Sequence, residues 1–336
     1  VAGGVDRRSV GVGGALEAVS LQRPPDRSPR ARARVEVPLI FGLEGRRVAR
    51  AVVATVLVAG SLYYLVAMMR DNQAQLRSID WLEHPWLLVA SVAVNALALT
   101  GGCWTWWKVL TRVSGGDGPA FAPLWRLWAL SNPSRYLPGR IWHLAALGTL
   151  APAAGVGRVP LMTSLLIHMW FVLLANLVLA LAAIRPASTP IWIGMVVGVA
   201  AIALVGTWPG TLNLLSRVTR KPSLRWSSTW RFGGTMVLLN TVSVIVAGLG
   251  ACLLVQATAG LPLRDFPRMI GAQAAAFLVG YVSLVPAGIG VREAALALLL
   301  APVLPPGSSA AVAVVLRLWN TVTELLLLGG ALRLSR

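Results

Sequence analysis

Arg292 and Glu293 stand side by side in an apolar run, just after Pro286, Gly288 and Gly290, in the stretch SLVPAGIGVREAALALL (283–299). An arginine near the middle of a bilayer costs about 3 kcal/mol on insertion scales, so it calls for a partner. Proline and glycine at that depth require protein or a water-filled cavity to satisfy the freed backbone groups. A helix is expected to begin right after Gly290. Its free N–H groups and positive dipole end, together with Arg292, would make a site for an anion. A guanidinium suits phosphate because its planar fork bonds two oxygens and keeps its charge. The plainer use of the same residues is an arginine that snorkels and a glutamate that complements its own helix dipole.

Two further sets extend the pattern. Arg317, Asn320 and Glu324 are spaced three, four and seven apart in an apolar segment, which places them on one helical face. Such a stripe lines a polar cavity or makes interhelical ion pairs. Arg317 and Glu324 lie two turns apart, so their partners are expected on other segments. A second break, RYLPGRIWHLA (135–145), carries Arg135, Pro138, Gly139 and Arg140. The candidate phosphate-binding set is therefore Arg135, Arg140, Arg292 and Arg317. Glu293, Glu324 and Asn320 are the candidates for lining a cavity or coupling, since a carboxylate in low dielectric can take up a proton. Pro138, Gly139, Pro286, Gly288 and Gly290 supply the broken backbone. His168 and Asn176 read as helix-packing groups.

Other chemistries find little footing. His84, His143 and His168 are far apart and lack metal-ligand spacing, so no metal is expected. GIGVRE lacks the third glycine and the preceding strand of a dinucleotide loop, there is no Walker motif, and no cofactor is expected. The loop acids Asp71, Asp80, Glu83, Asp117 and Asp265 form no cluster suited to a metal-dependent transferase. Cys103 and Cys252 lie in apolar runs and do not suggest a disulfide framework.

The elements that must position these residues are helices in a membrane. The 336 residues are 56% hydrophobic and 12% charged, with a mean hydropathy of +0.70 and a net charge of +18. The basic residues fall in the gaps between apolar runs, as membrane topology requires, which argues against nucleic acid as a partner. A span needs about 20 apolar residues. Six segments qualify: 48–68, 86–107, 161–184, 190–208, 232–256 and 308–330. Segments 121–150 and 270–302 are instead two short arms around a Pro/Gly break. Residues 1–47 read as a disordered basic tail. Residues 48–332 read as a membrane transport domain with halves 48–184 and 190–332.

Charge bias then orients the chain. Residues 1–50 hold ten arginines against five acids, and 209–231 holds five basic residues and no acid, so both read as cytoplasmic. The loop 70–85 balances Arg70 and Arg77 against Asp71, Asp80 and Glu83, which suits the outside. The alternation closes with both termini cytoplasmic if each broken segment returns to the side it entered, as a re-entrant hairpin or, with the same sidedness, as two full crossings. Span, span, hairpin, span then occurs twice in opposite orientation, the plan of an inverted repeat. Of the tryptophans, Trp81, Trp86, Trp104, Trp106, Trp107 and Trp208 sit at segment ends, where aromatic belts belong. Trp125, Trp128 and Trp142 flank the first break and read as belt or packing residues.

RYLPGRIWHLA and SLVPAGIGVREAAL resemble the two characteristic stretches of the lysylphosphatidylglycerol synthase transmembrane-domain, or flippase-like, family. The first matches at Tyr136, Leu137, Pro138, Gly139 and Arg140. The second matches at Pro286, Gly288, Gly290, Arg292 and Glu293. The likeness spans roughly 48–332 and implies movement of a charged lipid, a phospholipid or a polyprenyl-phosphate-linked sugar, between the leaflets of the plasma membrane. No soluble synthase domain follows Arg336, so lipid synthesis is not expected. The partner implied is a membrane lipid with an anionic head group, with lipid-pathway enzymes as possible associates. The competing expectations are a membrane-embedded glycosyltransferase or lipid-modifying enzyme, and an accessory scaffold of a lipid pathway.

Overall fold

The computed structural model describes residues 70, 73–74, 83–132, 134, 146–149, 151–183, 189–217, 229–283, 288, 290–304 and 308–333. The basic tail, the segment 48–68 and the first break at 135–145 lie outside the described residues, and with them Arg135, Pro138, Gly139 and Arg140. Pro286 lies outside them too. Among the described residues there are helices and no strands.

Among the described residues nine complete α-helices follow one another: α1 Pro85–Val113, α2 Phe121–Ser131, α3 Arg158–Ala180, α4 Thr189–Thr207, α5 Pro209–Arg217, α6 Trp230–Ala259, α7 Phe266–Val282, α8 Val291–Leu300 and α9 Ser308–Arg333. Five of them, α1, α3, α4, α6 and α9, are long and apolar enough to cross a membrane. They match five of the six expected spans. Local chemistry sets several ends. Pro85 starts α1, where a missing N–H costs nothing. The Thr229 hydroxyl caps α6 by accepting from Phe232 N at 3.2 Å, and Gly260, at φ +66°, closes it.

The exposed surface is that of a protein embedded in lipid. Along α4, Ile191, Ile193, Val197, Leu204 and Val205 are all more than half exposed. In water such a face would be an aggregation site, whereas in hydrocarbon it is ordinary surface.

The interior is built on an antiparallel seam between α1 and α6. Gly250 lies against Ser91 and Asn95, Gly101 against Ser243, Thr105 bonds Asn240, and Arg112 stacks over Phe232. Each step forward on α1 is a step back on α6. Gly250 matters because a Cβ there would meet Ser91 O at 3.1 Å and Asn95 N at 3.2 Å, so the small residue sets the helix separation. Around the seam, α3 packs on α6 and α7, and α9 packs on α1 and α2. One apolar cluster joins α6, α7, α8 and α9 through Leu254, Met269, Leu296, Leu300 and Leu316. Another joins α1, α2 and α3 through Trp106, Leu110, Leu124 and Leu161. Trp106, expected in an interfacial belt, is instead buried, and its indole N–H donates to Ser164 on α3 at 3.1 Å. It ends an apolar run in sequence, but its angular position on α1 faces inward.

Both broken segments contain arms too short to span. With 10 residues, α8 is about 15 Å long, half of a hydrocarbon core about 30 Å thick. α2 has 11 residues and is barely longer.

Candidate functional site

The backbone break between α7 and α8 is made by glycine. Gly288 has φ +64° and Gly290 φ +80°, where a side chain is strained. Gly288 also lies against Gly280 of α7, where a Cβ would come 3.1 Å from the Gly280 Cα. The two glycines let the chain fold back closely enough for α8 to pack on α7. As expected, α8 begins at Val291, directly after Gly290.

The adjacent charges part at once. Successive helical residues point about 100° apart. Arg292 turns towards α7, where its guanidinium carbon is 6.0 Å from the centre of the Phe277 ring. Glu293 turns the other way and is buried. Its Oε2 accepts the Gly290 backbone N–H at 2.7 Å, capping its own helix. Its Oε1 accepts from Arg317 Nη1 of α9 at 2.8 Å, with side-chain exposures of only 10% for Arg317 and 7% for Glu293. The helix N-terminus that could receive an anion thus receives the chain's own carboxylate, and Arg317 has a counter-charge from another segment.

From Arg317 a polar line runs along the middle of α9. Asn320 Nδ2 donates to Glu324 Oε1 at 3.0 Å, and Asn320 Oδ1 accepts from Asn95 Nδ2 of α1 at 3.3 Å. One turn away along α1, Ser91 Oγ accepts the Trp319 indole N–H at 3.0 Å. Glu324, Asn95 and Ser91 are all buried. The stripe of Arg317, Asn320 and Glu324 therefore faces α8 and α1. Asn95 and Ser91 were missed in the sequence. A lone amide in the apolar run 86–107 was the available signal.

The remaining candidates separate from this cluster. Asn176 bonds its own helix at Val172 O, 2.8 Å. Nδ1 of His168 is buried with no hydrogen-bond partner among the described residues. Trp125 and Trp128 pack against the α1–α2–α3 core, and the Trp125 N–H reaches Thr100 Oγ1 at 3.4 Å. Cys103 and Cys252 are buried free thiols. Among the described residues no three His, Cys, Asp or Glu side chains gather as metal ligands would.

Fold and site together define an all-helical, membrane-embedded protein with a buried polar network beside a glycine-broken helix. Compared with protein-family models, with curated proteins and with solved structures, the chain matches none.

Proposed function

We propose that the protein moves a phosphate-bearing lipid between leaflets, either a phospholipid or a polyprenyl-phosphate-linked sugar, through a polar path between α1, α8 and α9. The observation that carries this reading is the buried Glu293–Arg317 pair. It is joined through α9 to Asn320, Glu324 and Asn95 and set against the break at Gly288 and Gly290. A soluble fold would gain little from burying such a pair, because apolar packing of the same volume is often as stable. Intramembrane charges placed on a broken helix more often mark a substrate or ion path. In the resting arrangement Glu293 neutralises Arg317. A lipid phosphate would replace the carboxylate on the guanidinium, with Glu293 and Glu324 as the candidate coupling residues.

The finer architecture belongs to the same proposal. The two broken segments are re-entrant hairpins of an inverted repeat, and both termini are cytoplasmic in the plasma membrane. The packing supports this reading. α1 and α6 occupy equivalent places in the two halves and cross antiparallel. The contact of α3 with α7 has its counterpart in that of α9 with α2, and α3–α6 has its counterpart in α9–α1. Arg140 of the first break would then approach the cavity from the opposite leaflet.

The test is head-group accessibility of a fluorescent anionic lipid in proteoliposomes at matched protein levels. A bidentate charge-assisted contact is worth about 1.5–3 kcal/mol, so Arg317→Ala and Arg140→Ala should each slow translocation by roughly tenfold or more. Arg317→Lys and Arg140→Lys should recover only a small part, because an ammonium cannot reproduce the planar fork. Near-normal transport by both lysine variants would overturn the phosphate exchange at Arg317.

A further inference from the structure

Where α1 ends, the structure holds a cavity of about 450 Å³, within the size range of small-ligand sites. Its walls include Trp107, Lys108, Thr111 and Arg112 of α1 and Phe232 of α6. The cavity lies well away along α1 from Asn95 and Ser91, which meet α9 near the other end of the helix.

Its chemistry is one-sided. Lys108 is half-buried, with its Nζ 5.0 Å from the ring centres of both Trp104 and Trp107. Two indoles hold an ammonium in place but leave its charge uncompensated. Among the described residues Lys108 makes no ion pair. Arg112 extends from the next turn, its guanidinium carbon 5.8 Å over the Phe232 ring. Among the described residues no carboxylate lines the cavity. Asp117 lines a separate, adjoining space of about 380 Å³ beyond Gly115. Thr111 Oγ1 is buried against Gly118, away from the opening, so this residue is wall and not a ligand donor. The Trp107 N–H is already committed to Pro119 O at 2.8 Å, which fixes that ring as a wall. Two cations and aromatic walls at the end of a spanning helix face the depth where lipid head groups lie.

We propose that this cavity binds the phosphate of an anionic lipid from the adjacent leaflet. Lys108 and Arg112 meet the phosphate oxygens, and Trp104 and Trp107 lie along the start of the acyl chains. This site depends on the protein being embedded in a membrane and not on translocation.

The experiment is native mass spectrometry of the full chain in a neutral detergent, titrated with phosphatidylglycerol and separately with phosphatidylcholine. Wild-type protein should prefer phosphatidylglycerol by about tenfold or more. The double variant Lys108→Gln/Arg112→Gln should lose that preference. Arg333→Gln, an exposed charge at the end of α9, should keep it. Lys108→Gln alone, a milder change, should lower it several-fold and serves if the double variant fails to fold. Either variant retaining the full preference overturns the proposal, as does an equal loss in Arg333→Gln, which would mean a diffuse charge effect. Inorganic phosphate at millimolar concentration should not displace the lipid. Displacement would assign the cavity to a free anion and overturn the lipid source. Translocation measured on the same variants separates this site from the path at Arg317, because loss of lipid retention with normal flipping supports the site on its own.

Discussion

Glu293 is one carboxylate with two obligations, and each can be removed separately. Glu293→Ala strips Arg317 of its partner and Gly290 of its acceptor together. Removing one member of a buried pair costs about 3–5 kcal/mol, and the lost cap about 1 kcal/mol more. Glu293→Gln keeps an oxygen for Gly290 but leaves the guanidinium uncompensated, so it should melt below wild type and above Glu293→Ala. Adding Arg317→Gln to Glu293→Gln removes the stranded charge and should restore much of the lost melting temperature. Thermal unfolding in detergent checks this order. A double variant no more stable than Glu293→Gln alone would show that the buried charge is not what the ion pair answers.

At the scale of elements, the close crossing of α7 and α8 depends on Gly280 and Gly288. Gly288→Ala forces a side chain into a left-handed conformation and against the Gly280 backbone, a strain of about 1–3 kcal/mol. It should lower the melting temperature and expose the break to limited proteolysis, whereas Gly234→Ala, in α6 with open space around it, should do neither. Unchanged melting of Gly288→Ala would mean that the turn relaxes freely. Much of this element was legible beforehand. The start of α8 followed from Gly290, and the common face of Arg317, Asn320 and Glu324 followed from helical periodicity. That Arg292 and Glu293 serve different neighbours was not legible, because it depends on which helices lie on either side of α8. Asn95 and Trp106 were obscured for a related reason. Composition locates a residue along a span but says nothing of its rotation, and rotation decides whether it meets lipid, α3 or α9.

For the whole molecule, the antiparallel seam of α1 and α6 puts Arg112 beside Phe232, so the end of α1 and the start of α6 share one face of the membrane. In the proposed topology the basic stretch 209–231 puts that face in the cytoplasm. An impermeant thiol reagent applied to intact cells should therefore label Leu263→Cys, which replaces an exposed residue beyond the far end of α6, and Gln75→Cys. Ser223→Cys should be protected until the cells are opened. The native Cys103 and Cys252 are buried and contribute little background. Labelling of Ser223→Cys in intact cells would reverse the sidedness.

The shared carboxylate also has a mechanical meaning. Oε1 and Oε2 of Glu293 belong to one rigid planar group, with one oxygen on α9 and the other on the first turn of α8. If α9 slides, the carboxylate either follows Arg317 and uncaps α8 or stays with Gly290 and strands Arg317. Neither half-step is comfortable in low dielectric, so the two contacts let go as one event. In the proposed transport path such a carboxylate would be a latch, making a gradual sliding of helices all-or-none.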